Sequence, residues 1–177
     1  MNSQIWLSSA EIPEIELYSI GAADLENLRN WKNEHRESFF FKGLISPEDQ
    51  RRWFAAYCER LDDYMFVIRF KGTPIGCIGF RLLDKRLDIY NVILGVAEVG
   101  SQGWMRHVLR LTCTYALSRY PGVSLGLKAL RANPAVDWYK RNGFVETRAL
   151  DDHFELDLDF RTFQPCERLR VVCDAQR

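Results

Sequence analysis

The chain has 177 residues, 47% of them hydrophobic, which is enough for the core of one domain. Its 24 basic and 24 acidic side chains cancel to a formal net charge of zero, so no overall field draws it to nucleic acid or to an anionic membrane, and neither is expected as a partner. The first 13 residues carry no basic start followed by an apolar run, and nothing approaches the roughly 20 apolar residues of a membrane span, which leads to the expectation of a cytoplasmic protein.

In chain order, Ile15 and Leu17 alternate with Glu14 and Glu16, the pattern of a short half-buried strand. Leu25, Leu28 and Trp31 space as one helical face, with Asp24 at the positive end of the helix dipole. Ser46-Pro47-Glu48-Asp49 combines a hydroxyl cap, a first-turn proline and two acids, and predicts a second helix that buries Trp53, Phe54, Tyr57 and Leu61. Strands at 64–70 and 75–83 flank the turn Lys71-Gly72-Thr73-Pro74, and a third at 87–96 follows Asp84-Lys85-Arg86, giving an antiparallel meander. From 104 to 120 the apolar positions fall on one broad helical face that Pro121-Gly122 stops. Leu125, Leu127 and Ala129 alternate as a strand, Asn133-Pro134 starts a short helix closed by Asn142-Gly143, and strands at 144–149 and 154–159 follow. The order β-α-α-β-β-β-α-β-α-β-β predicts an α/β (α+β) fold, a mixed and mainly antiparallel sheet of about seven strands flanked by helices. The strands on either side of the long helix should run parallel. The tail from Arg161 is polar, with a short strand at 169–172 as its one element.

Five scattered cysteines without a Cys-x-x-Cys pair fit reduced, packed thiols. His35, His107 and His153 are remote from one another in sequence, so no metal site is expected. The turn at 96–103 lies between a strand and the start of the long helix. Free N–H groups there, with Gly100 and Gly103 allowing close approach and Ser101 and Gln102 adding donors, suit a phosphate; the alternative is a connection that the glycines merely shape. Alternation along 87–96 puts Asp88, Tyr90, Val92, Leu94 and Val96 on one face and Ile89, Asn91, Ile93 and Gly95 on the other. Between the first two helices, His35 and Arg36 precede three consecutive aromatics starting at Phe39, which read either as a pocket wall able to meet an anion or as a charged surface around buried rings. Tyr139 continues the apolar stripe of Ala135 and Val136, which taken alone reads as core.

The segment Asn133-Pro134-Ala135-Val136-Asp137-Trp138-Tyr139-Lys140-Arg141-Asn142-Gly143-Phe144, downstream of the glycine turn, resembles the GNAT superfamily of acetyl-CoA-dependent N-acetyltransferases, as does the element order over residues 14–160. Residues 161–177 are left as an extension. The resemblance implies that Val99, Gly100, Ser101, Gln102 and Gly103, with Trp104 opening the helix, hold the CoA pyrophosphate. It implies that Leu94 and Val96 pair through their backbone with the pantetheine arm, that Asn133 contacts the cofactor, and that Tyr139 protonates the departing thiolate. The turn departs from the family pattern at Gly100 and Met105. Asp88 is the base candidate, with a solvated acid beside the neighbouring turn as the alternative; Tyr90, His35, Arg36 and Phe39 are candidate acceptor contacts. Asn30-Trp31-Lys32-Asn33 and Ile45-Ser46-Pro47-Glu48-Asp49-Gln50 look like the subgroup of ribosomal-protein and nucleotide-amino-sugar acetyltransferases. The expected activity is acetylation of a primary amine on a small molecule, by a monomer or homodimer. A protein N-terminal acetyltransferase and a non-catalytic acyl-CoA-binding module are the alternatives.

Overall fold

Segments with a two-residue apolar period line up in the computed structural model, which describes residues 4–97 and 103–174, as one sheet of nine strands. Their spatial order is β7-β8-β6-β5-β4-β3-β2-β1-β9. The strands are β1 (Gln4–Ser9), β2 (Ile15–Ser19), β3 (Asp63–Phe70), β4 (Thr73–Leu83), β5 (Arg86–Leu94), β6 (Ser124–Leu130), β7 (Phe144–Ala149), β8 (His153–Leu158) and β9 (Leu169–Asp174). The helices are α1 (Leu25–Glu34), α2 (Pro47–Cys58), α3 (Trp104–Arg119) and α4 (Val136–Arg141). The class is the expected one, and β5 and β6, joined through α3, are indeed parallel.

The sheet exceeds the expected seven strands at one edge. Ile5 and Leu7 are buried in β1, and the polar tail returns as β9 to pair with β1 from Gln4↔Asp174 to Ser9↔Leu169. The hairpins turn where Lys71 and Gly72, then Asp84 and Lys85, take positive φ, the geometry that matches the twist of the flanking strands. Ser46 caps α2 by accepting from the Asp49 N–H, but the helix ends at Cys58 because β3 must begin at Asp63. Leu61 is therefore 80% exposed rather than buried. α4 starts at Val136, two residues after the expected proline, because the Asn133 side chain first closes a turn by accepting from the Ala135 N–H.

Two cores cover the two faces of the sheet. On one, Val108, Leu111, Tyr115 and Ala116 of α3 and Val136 and Tyr139 of α4 pack with Phe66, Phe80, Leu87 and Ile89. On the other, Leu28 and Trp31 of α1 and Tyr57 of α2 pack with Met65, Val67, Cys77 and Ile93.

Candidate active site

β5 and β6 pair only from Arg86↔Ser124 to Ile89↔Leu127, although β5 continues to Leu94 and β6 to Leu130. The sheet parts there. At the same place β5 bulges against β4: Gly79 faces Tyr90 but Cys77 faces Ile93, so β5 carries one extra residue, and Asn91 takes a φ of +50° to accommodate it. The extra residue inverts the alternation expected from the sequence. Leu87, Ile89, Val92 and Leu94 all pack into the α3 core, whereas Tyr90 and Ile93 pack with α1 and α2. Asp88 and Tyr90 thus do not share a face with Val92 and Leu94.

A cavity of about 1030 Å³ opens at the split. It brings together His35, Phe39, Asp88, Tyr90, Leu94, Asn133 and Tyr139 of the sequence candidates. Arg36 is not among its lining residues: its Nη1 donates to the Asn33 carbonyl at 3.2 Å and its Nε lies 3.6 Å from Glu37. Val96 also lies off the lining, and its N–H donates to the Ile75 carbonyl at 3.2 Å, which occupies the donor that strand addition would use. Trp104 packs against Phe70 with ring centroids 5.1 Å apart. Gly103 precedes α3 with φ +73°, and the Arg106 N–H donates to its carbonyl at 3.1 Å; among the described residues nothing accepts from the Trp104 and Met105 N–H groups, which suits an anion. Val99, Gly100, Ser101 and Gln102 lie outside the described residues.

The polar groups of the cavity are tightly partnered. Arg81 donates through Nε and Nη2 to Asp88 Oδ2 at 3.1 and 3.0 Å, while Asp88 Oδ1 makes no hydrogen bond among the described residues. Burial pushes the Asp88 carboxyl above the usual range, with Arg81 pulling the other way. The Tyr90 hydroxyl donates to Asp63, which also receives Arg60 Nη1 at 2.8 Å. Burial, then the Asp63 charge, holds that phenol well above its ordinary value. The Asn133 amide is used at both ends, accepting from the Ala135 N–H at 2.8 Å and donating to the Ser38 carbonyl at 3.2 Å. Tyr139 is buried with its phenol pKa raised by desolvation, and its hydroxyl has no hydrogen-bond partner among the described residues.

Several lining residues were not singled out from the sequence. Lys32 donates from Nζ to Asn91 Oδ1 at 2.6 Å and stands 3.1 Å from the centroid of the Phe39 ring; burial pulls its pKa down to about 8. Its spacing from Leu28 and His35, four and three residues, was the available signal, a cation on the inward stripe of α1. Arg81 has no comparable local signal. His153 lies across the cavity with its ring edge-on to Phe40.

A family model for the acetyltransferase (GNAT) domain matches residues 14–145, and the chain belongs to that family. Solved structures with the same fold include a domain from Methanocaldococcus jannaschii at a TM-score of 0.69 and 18% identity, covering 81% of this chain and 97% of that one. Another is the spermidine N-acetyltransferase of Vibrio cholerae in complex with CoA and spermine, at 0.68 and 16%, covering 90% and 95%. A third is the Campylobacter jejuni N-acetyltransferase PseH, at 0.63 and 16%, covering 84% and 99%. No curated protein is significantly similar in sequence.

Proposed function

We propose that the protein transfers the acetyl group of acetyl-CoA to a primary amine of a small molecule, with a nucleotide-linked amino sugar as the acceptor class. The observation that carries this reading is the parting of β5 and β6 beyond Ile89 and Leu127, in a cavity that Tyr139 also lines, its hydroxyl without a hydrogen-bond partner among the described residues. A parted strand offers backbone groups to an amide-bearing arm, and the uncapped start of α3 at Gly103 suits a pyrophosphate. Leu94 and Asn133 on the cavity wall and Gly103 at the start of α3 would hold the cofactor together with the turn at 99–102.

The chemistry follows from the side chains. The neutral amine attacks the thioester carbon, the new C–N bond forms and the C–S bond breaks. Asp88, through the Oδ1 that makes no hydrogen bond among the described residues, takes the amine proton, and Tyr139 gives its proton to the departing sulfur. Burial favours both states: it makes Asp88 more basic than a solvated carboxylate and keeps Tyr139 protonated.

The acceptor class rests on charge. Among the described lining residues Arg81 is paired with Asp88, Arg60 with Asp63 and Lys128 with Glu155, and Asp49 is held by the Ser46 cap, whereas Lys32 meets an amide and a ring rather than an acid. An acceptor carrying phosphate or carboxylate would meet Lys32, while the paired acids offer a polyamine no cage. The Vibrio enzyme, whose structure holds spermine, is in this respect a neighbour in fold alone. Five unpaired cysteines fit a reducing cytoplasm.

The test is calorimetry with acetyl-CoA followed by thiol release over a panel of nucleotide-linked amino sugars, polyamines and N-terminal peptides. Turnover with the amino sugars supports the proposal, and turnover confined to peptides or polyamines replaces the acceptor. Binding without thiol release makes the protein an acyl-CoA-binding module, and no binding ends both readings.

A further inference from the structure

Outside the lining of the cavity, three side chains remote in sequence converge where the connection between β1 and β2, the first turns of α3 and the segment before β9 meet. Glu11, His107 and Cys166 present ligand atoms that all lie within 4.8 Å of one another. We propose that they bind a thiophilic divalent cation, zinc by the chemistry of the donors.

Thiolate, imidazole and carboxylate are the three ligand types of zinc, and two anionic ligands balance its charge while a water completes the tetrahedron. His107 and Cys166 are 3% and 5% exposed, and the exposed Glu11 gives the ion an entry path. The imidazole is already oriented. Nδ1 faces Cys166 Sγ at 3.9 Å, and Nε2 meets Ser9 Oγ at 3.2 Å. Nδ1 is therefore the ligand nitrogen, and Nε2–H donates to Ser9, the outer hydrogen bond by which metal-bound histidines keep their tautomer.

The loop that carries Cys166 is anchored from three sides. Its own N–H donates to Thr114 Oγ1 at 2.9 Å. Arg110 donates to the Gln164 and Pro165 carbonyls at 3.0 and 3.1 Å, and the Glu167 N–H donates to Glu11 Oε1 at 2.5 Å. Arg110 Nη1 meets Glu11 Oε2 at 2.9 Å, so each carboxylate oxygen accepts one hydrogen bond and keeps a lone pair for an ion. Binding forms the metal–sulfur bond and releases the thiol proton to solvent. The ion would lock the C-terminal extension, and with it β9, onto α3 and β1.

The test uses the full chain after treatment with a chelator, titrated with cobalt(II) and then zinc. The expected result is one equivalent of cobalt with a thiolate charge-transfer band, displacement by zinc, and a higher unfolding temperature at saturating zinc. Cys166→Ser should lose the band, whereas Cys58→Ser and Cys173→Ser should keep it. Should Cys166→Ser fail to fold, Glu11→Gln at the exposed ligand decides: cobalt affinity weakened about tenfold or more supports the site. No band, a band that persists in folded Cys166→Ser, or unchanged affinity in Glu11→Gln overturns it.

Discussion

Lys32 Nζ lies 2.6 Å from Asn91 Oδ1, so a cation carried by α1 is fastened to the residue that bulges β5. The contact joins the wall of the cavity to the point where the sheet parts, and it holds a positive φ that a non-glycine residue rarely adopts.

Burial lowers the Lys32 pKa from 10.5 to about 8. Below pH 8 both folded and unfolded chains hold the proton. Between about 8 and 10.5 only the unfolded chain does, so this group makes stability rise with pH across that window. Lys32→Met should therefore be more stable than the parent at pH 7, by up to about 3 kcal/mol less the lost hydrogen bond and ring contact. The difference should shrink as pH rises above 8. Urea unfolding at several pH values checks this, and a gap that stays constant to pH 10 would mean that the amine is solvated in the folded protein.

Tyr139→Phe removes a hydroxyl that makes no hydrogen bond among the described residues. Turnover should fall about 100-fold with the KM for acetyl-CoA nearly unchanged, as expected for a group acting on the leaving thiolate. Steady-state kinetics decide it, and equal losses in kcat and affinity would assign Tyr139 to packing.

Among the described residues a Cβ at Gly103 would meet nothing within 4 Å, so the cost they impose on Gly103→Val is the backbone strain of φ +73°, about 1–2 kcal/mol. The fold should survive while acetyl-CoA binds about tenfold more weakly, because a side chain now stands at the start of α3. Calorimetry showing unchanged affinity would move the pyrophosphate elsewhere.

Asp88 has its pKa raised by burial and restrained by Arg81, so if it takes the amine proton as proposed, kcat should show an acid limb. Arg81→Ala removes the restraint, so the carboxyl should protonate at higher pH and the limb should shift to the alkaline side. In Asp88→Asn the limb should vanish along with most of the activity. A kcat profile unchanged in both variants would remove Asp88 from proton transfer.

Much of the fold was legible because it rests on local period. The meander, the long α3 and the parallel crossover follow from apolar spacing of two or 3.6 and from caps such as Ser46. The resemblance to the family likewise rests on local patterns, the glycine turn at 96–103, the segment from Asn133 to Phe144 and the element order. β1 was open to the same reading, since Ile5 and Leu7 alternate, but a segment of six residues shows its partner only when β9 arrives from the other end of the chain.

What the amino-acid sequence determined by itself was the class of fold, the order of the elements from 15 to 158 and the family, all properties of neighbouring residues. The tertiary structure alone decided which way β5 faces beyond Asn91, because one inserted residue reverses every later side chain without disturbing the apolar count. It alone set Arg81 on Asp88, left Arg36 outside the cavity, and gathered Glu11, His107 and Cys166. Register and long-range approach are fixed by packing across the whole sheet, and no local pattern carries them.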